Sequence, residues 1–497
     1  MKISKYIPAA LLALGLASCS GDFLDTENTE FLGSEEAGEA AGKNPDVFLN
    51  GAWSWFTEGA VANTEDPSNF SYMAVMLCTD VMTEDIAFSA SHFFVFDYQL
   101  DYRNDQWMRT GHLWSTFYTT IQKANEIIGL YPNGAQTSSE KALIGQAYAM
   151  RGMSYYYLIQ LYQDYMNTDG TINREAKGIP LMYTAADGKT EEEIAAAKSR
   201  NTVGAVLDQT GHDLELAVSL LEEADYSRPN KNYIDASVAN GLLARYYLLT
   251  QQFQNAADAA NKARQGYAMR TESGLHDGFM EINNPDVMWG FDQTTETQTA
   301  FASYFSHISN LAPGYAGAGY CPKHIDRRLY DQIPDNDYRK SLFNGAAGDA
   351  SQPTGAARLP YANIKFGNCG DWLMDYIYMR AAEMVLIEAE AYARLNENGK
   401  AADVLKVLMA NRQPGWSKTS VTAAEIQLQR RIELWGEGFA YFDLKRLNKG
   451  IHRAYAGTNH MNGCQLVVPA HDVRWTFQLP LREIQENSLI SEADQNP

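Results

Sequence analysis

Cys19 carries the most readable chemistry in the chain. It follows Leu16-Ala17-Ser18, after a short basic region at Lys2 and Lys5 and an apolar run from Ile7 to Ala17. That run is too short to span a bilayer. Small residues ahead of a cysteine fit the cleft of a lipoprotein signal peptidase, and the Cys19 sulfur then carries a diacylglyceryl group. The pattern predicts a signal peptide over 1–18, a lipid anchor at Cys19 and a polar tether over 19–45, rich in Gly, Glu, Asp, Asn and Ser. No other apolar run approaches 18 residues, so the remainder is expected to be soluble.

Catalytic and metal motifs are absent from the rest. The nine histidines include no HExxH and no i, i+4 pair, and neither GxSxG nor Walker A occurs. Asp335-Asn336-Asp337 lacks the glycine and distal glutamate of an EF-hand and reads as a solvated turn. Asp97, Asp101 and Asp105 recur every four residues and read as a solvated acidic face rather than a calcium site. Gly314 to Gly319 is a flexible glycine loop outside any dinucleotide-binding context. Cys78, Cys321, Cys369 and Cys464 fit either periplasmic disulfides or buried thiols. With 61 acidic residues some carboxylates always lie near each other, so a glycosidase-type pair stays open but ranks low. No cofactor, no metal and no enzymatic activity are expected.

The elements that position these residues are mainly helical. The 497 residues are 45% apolar, with a net charge of −21 that repels phosphate and disfavours nucleic acid and anionic lipid headgroups as partners. Aromatic residues reach 12%, with 29 tyrosines, which excludes a disordered chain. Periodicity predicts helices over 113–130, 143–162, 203–222, 237–263 (a helix, a turn and a second helix), 378–395 and 400–411. Tyr155, Leu158, Ile159 and Tyr162 share one helical face, and Gly399 is read as ending the turn before the last helix. Ala244, Ala256 and Ala263 stand 12 and 7 apart, a tetratricopeptide spacing that lets helices cross closely. The expected fold is therefore mostly α: a degenerate tetratricopeptide-repeat scaffold with long loop insertions and a few short strands, including 286–291 and 473–479. Repeat helices occupy about 105–165, 203–266 and 378–412, insertions about 53–109 and 269–369, all within one body over 46–497.

Several segments together resemble the SusD/RagB-type lipoproteins of Bacteroidetes. Cys19-Ser-Gly-Asp22-Phe-Leu-Asp25 is similar to the family's start, and Trp114 to Ile128 to its first repeat helix. Arg380-Ala-Ala-Glu383-Met-Val-Leu-Ile-Glu-Ala389 and Arg430 to Arg446 are the most recognisable stretches. The end also fits, from Phe477-Gln-Leu-Pro480 to Asn496-Pro497, whereas Gln429 and Ala440 replace the usual Glu and Arg. The resemblance implies a nutrient-binding partner of a SusC-like TonB-dependent outer-membrane transporter, anchored by lipid to the outer membrane and facing the exterior. Arg380 and Glu383 stand one helical turn apart and Glu433 four residues before Glu437, so each pair is expected to share a face and to belong to a buried polar network joining the repeat helices to the C-terminal segment.

Ligands of this family are held by the inserted loops. Sugars stack their C–H faces on aromatic rings while polar side chains meet their hydroxyls. Two insertions offer such rings: Phe94, Tyr98 and Trp107 in one, and Tyr304, His307, Tyr315 and Tyr320 in the other. Trp53, Trp55 and Trp114 lie on helical patterns and are read as core, with Trp372 and the 45–75 segment as reserve ring positions. An oligosaccharide is favoured. A peptide ligand, as for some relatives, is the alternative, and would require fewer stacking rings.

Overall fold

The structure, a computed structural model, describes residues 45–59 and 66–497. Cys19, the segment 1–18 and the tether through Asn44 lie outside the described residues.

Seven helices pack one after another: α1 (Met108–Gly129), α2 (Ser138–Tyr162), α3 (Val203–Glu223), α4 (Ala236–Leu249), α5 (Phe253–Ala263), α6 (Ala381–Arg394) and α7 (Asn398–Met409). α5 meets α6 although residues 264–380 intervene, and α8 (Ala423–Glu433) packs back on α6. Local capping chemistry starts several of these helices. Thr137 and Glu140 close a capping box at α2, Asp235 accepts from the Val238 amide at α4, and Thr422 and Glu425 box α8. Ala244, Ala256 and Ala263 are fully buried, as close crossing requires. Ala382, Val385, Leu386 and Ala389 of α6 face Ala401, Leu405 and Leu408 of α7 in a separate small core.

Several expected boundaries move, and α1 and α2 each begin five residues before the expected 113 and 143. Tyr376–Arg380 is a strand, so α6 begins three residues later than the 378–395 reading; the pairing of Val287 with Arg380 claims the segment. Gly399 lies inside the first turn of α7, and Asn396, at φ +62°, makes the turn before it. Residues 473–479 contain a single 3-10 turn, Val473–Trp475, and no strand.

The strands staple the insertions together. β1 (Ile86–Phe88) of the first insertion pairs antiparallel with β3 (Lys323–Ile325) of the second, while β2 (Val287–Phe291) pairs with β4 (Tyr376–Arg380). A third ribbon joins β5 (Ile451–His452) to β6 (Val467–Val468). The β1–β3 pairing brings the two ring-bearing loops to one place.

Where the insertions, α8 and the C-terminal segment meet, buried charge closes the fold. Arg380 donates to Glu437 at 2.9 and 2.7 Å, to Glu433 at 3.2 Å and to Asp286 at 3.1 Å. Glu433 also accepts twice from one edge of the Arg412 guanidinium, at 2.8 and 2.9 Å. Against the penalty of burial, Arg412, Arg380 and Arg339 hold the Glu433 carboxyl well below the carboxylate range. The expected shared face of Arg380 and Glu383 is corrected: Glu383 pairs with Arg245 of α4, at 2.8 and 2.7 Å, because Arg380 belongs to β4 and points to the other side. Gln429, one of the two departures, accepts from Arg339 at 2.5 Å. Gly438, at φ +92°, holds its amide 3.2 Å from Asp80; a Cβ there would lie 2.4 Å from that of Met76.

Candidate aromatic binding site

Tyr315 is the hub of the site. The turn over Gly314 to Tyr320 is pinned rather than flexible. The Ala316 amide donates to the Ser306 carbonyl at 2.9 Å, and the Tyr320 and Cys321 amides to the Tyr315 carbonyl. Gly314 permits this, since a Cβ would meet Ser306 Cα at 2.4 Å. Around Tyr315 stand His307 (4.8 Å between centroids, 20° between planes), Phe93 (4.8 Å), His92 (5.2 Å), Phe301 (5.6 Å) and Tyr320 (6.3 Å). Trp372 continues the row 6.3 Å beyond Phe301. Tyr320 and Phe301 are more than half exposed, at 57% and 54%, whereas Tyr315, Phe93 and Trp372 are half-buried.

A buried spine connects this cluster to a second one. His307 stacks on Phe70 and meets Phe94 edge-on at 5.1 Å. The Arg109 guanidinium lies 4.7 Å from the Phe94 centroid and 5.8 Å from that of Tyr102. Tyr102 then meets Trp107 at 5.1 Å, and Phe96 stacks on Trp107 at 6.3 Å and 17°. Phe96 and Trp107 are 49% and 47% exposed. Phe94 and Trp372 both take left-handed backbone, at φ +67° and +62°. Bulky residues adopt that conformation only when surrounding contacts impose it. His307 is kept neutral, well below the usual histidine range, by burial and by the nearby Lys323 ammonium; one ring nitrogen bonds the Pro67 carbonyl at 2.9 Å.

The seven expected ring positions thus divide. Phe94, His307, Tyr315 and Tyr320 come together, and Trp107 joins them through Arg109 and Tyr102. Phe94 and His307 are buried, however, and serve as spine with no free face. Tyr98 and Tyr304 lie elsewhere in the core, which corrects their reading as rings offered to a ligand. Tyr98 stacks on Phe88 at 4.3 Å and 6° and hydrogen-bonds His460; Tyr304 donates to the Gly436 carbonyl. The sequence reading missed Phe301. It follows the polar 292–299 run and stands three and four residues ahead of Tyr304 and Phe305.

Three other readings also change. Asp97 is no solvated acid: it is buried and accepts twice from Arg109, at 3.0 and 3.2 Å. Asp337 is buried against Arg339 at 2.6 Å rather than placed on a solvated turn. Cys78, Cys321 and Cys464 are buried free thiols and Cys369 is an exposed one. Among the described residues, no three His, Cys, Asp or Glu side chains gather as a metal site, and no helix is long and apolar enough to cross a membrane.

Comparison with known proteins places this architecture. A SusD-like family model described as "Starch-binding associating with outer membrane" matches residues 57–248, and the model of the "SusD family" matches residues 370–497. The chain belongs to the SusD/RagB family. A SusD-like protein of Formosa agariphila is 23% identical over 384 residues, covering 68% of this chain and 71% of the relative. A SusD-like carbohydrate-binding protein from Bacteroides vulgatus superposes with a TM-score of 0.75 at 25% identity, over 90% of this chain and 97% of that one. A surface glycan-binding protein from Bacteroides thetaiotaomicron, solved with laminarihexaose, shares the SusD fold at a TM-score of 0.65 and 15% identity, over 91% and 98% of the two chains.

Proposed function

We propose that this SusD/RagB chain is a non-catalytic, surface-exposed outer-membrane lipoprotein that captures oligosaccharide and delivers it to a SusC-like TonB-dependent transporter. The observation that carries the reading is the set of open rings, Tyr320, Phe301 and Trp372 with Tyr315 behind them, mounted on a buried aromatic spine. Ring faces fixed in place and free on one side suit the apolar faces of pyranose rings, and pre-ordering lowers the entropy cost of binding. Trp107, Phe96 and Tyr102 form a second platform on the same spine. The laminarihexaose complex of the Bacteroides thetaiotaomicron relative supports a glycan over a peptide ligand.

The rest of the chain fits that role. Cys19 supplies the lipid anchor after removal of 1–18, and 19–45 is the tether. Residues 46–497 form one body whose helix pairs are degenerate tetratricopeptide repeats, a rigid face suited to a barrel partner. Binding screens with oligosaccharide and peptide panels decide the ligand class. Tight binding of a peptide with no binding of any glycan overturns the glycan reading. Co-purification from membranes with a TonB-dependent barrel tests delivery, and failure to recover such a barrel contradicts it.

A further inference from the structure

The chain segments that build the ring site contain no lysine or arginine. No Lys or Arg occurs from Asn44 to Tyr102, from Thr271 to Pro322 or from Phe366 to Met379, although the chain has 40 of them in all. These stretches carry every exposed or half-buried ring of the Tyr315 cluster and, apart from Trp107, those of the second platform. They are not poor in charge: acids such as Glu84, Asp101, Asp292, Glu296 and Asp371 lie within them.

Basic groups that the fold brings underneath are already committed. Arg109 is buried and closed on Asp97 at 3.0 Å and on the Ser68 carbonyl at 2.9 Å. Lys323 is buried, its ammonium 2.7 Å from the Cys321 carbonyl and over the Phe88 ring. Arg103, beside Tyr102, donates to the backbone oxygens of Thr476 at 3.1 Å and Pro497 at 2.8 Å. Among the described residues, a carboxylate or sulfate on the ligand would therefore lose water without gaining a lysine or arginine partner, in the field of a chain with net charge −21.

We infer that the ring site selects uncharged oligosaccharides and rejects uronic-acid and sulfated ones. This inference rests on the glycan reading above and narrows its substrate class. The test titrates the purified chain with neutral hexasaccharides, laminarihexaose included, and with a matched panel of uronate and sulfated hexasaccharides, each at low and high salt. The best neutral hexamer should bind at least roughly tenfold more tightly than any anionic one, and its affinity should be insensitive to salt, because no ion pair is made. Ser91→Lys, which places an ammonium on an exposed position next to His92, should strengthen binding of the anionic hexamers at low salt while leaving the best neutral one within about twofold. An anionic hexamer that binds the wild type as tightly as the best neutral one overturns the inference while keeping the glycan reading. Binding of peptides alone removes the glycan reading and this inference with it.

Discussion

The Arg380 junction and the Tyr315 cluster are both assembled from residues far apart in the chain, yet their groups end differently. At the junction each guanidinium closes on protein carboxylates: Arg380 on Glu433, Glu437 and Asp286, Arg412 on Glu433, and Arg339 on Asp337. Nothing is left over for a ligand. At the ring cluster the inner members, Phe94 and His307, are enclosed, while Tyr320 and Phe301 keep more than half their surface open. Buried charge holds the insertions and C-terminal segment together; half-buried aromatic surface is left available. The SusD family model matches residues 370–497, which hold Arg380, Arg412, Glu433 and Glu437, while neither family model reaches residues 249–369, which hold Phe301, Tyr315 and Tyr320.

The largest expected effect lies at the junction. Arg380→Ala leaves Glu433 and Glu437 buried and short of a partner, which costs about 3–5 kcal/mol of stability. Thermal unfolding should show a large drop in Tm, while whatever fraction stays folded binds ligand as before. Arg380→Lys should recover little, since a single ammonium cannot serve three carboxylates in a fork. A wild-type Tm for Arg380→Ala would contradict the structural role.

Ring substitutions should separate spine from platform. Tyr304→Ala removes a buried ring and its bond to the Gly436 carbonyl, costing about 3–5 kcal/mol of stability. Tyr320→Ala or Phe301→Ala should instead leave Tm nearly unchanged and cost about 1–3 kcal/mol of binding, roughly tenfold to a hundredfold in Kd. If Tyr320→Ala melts like Tyr304→Ala, the division between the two layers is wrong.

Acid should act on the spine before the platform. His307 is held well below its ordinary value by burial, and burial pushes His324 down to about 4. A depressed histidine contributes stability that is present above about 6.5 and lost as pH falls toward the folded value, at most about 1.4 kcal/mol per pH unit per group. Asp80 has the opposite sign. Burial lifts it to about 7, so its contribution is present below about 4 and is lost as pH rises through 7. Denaturant titrations from pH 8 to 4 should show Asp80→Asn relatively more stable at the alkaline end, and a variant profile parallel to wild type would refute that assignment. The smallest effect belongs to exposed pairs: Arg482→Ala, which breaks a solvent-exposed bond to Glu486, should change stability by less than about 0.5 kcal/mol.

The helices were legible because their apolar faces repeat locally; α2, α3 and the α6–α7 pair fall close to where periodicity puts them. The strand Tyr376–Arg380 was not, since its pairing with Val287–Phe291 is a contact across residues remote in sequence, and Tyr378 to Arg380 continue a helical pattern on their own. The site was half legible. Both insertions were identifiable from their clustered rings, but whether a ring ends open or enclosed depends on distant partners: Tyr98 is covered by Phe88 and His460, Tyr304 by Phe366 and Gly436. Phe301 stands just ahead of Tyr304 and Phe305, and nothing local shows that it ends open while they are enclosed.

The most direct test of the ring platform is calorimetric titration of the best-bound neutral hexasaccharide into wild type and into the double variant Phe301→Ala with Tyr320→Ala, with Tm measured on the same samples. The platform requires at least a roughly tenfold loss of affinity at unchanged Tm. Wild-type affinity in a folded double variant would place the ligand elsewhere on the molecule and contradict the proposed site.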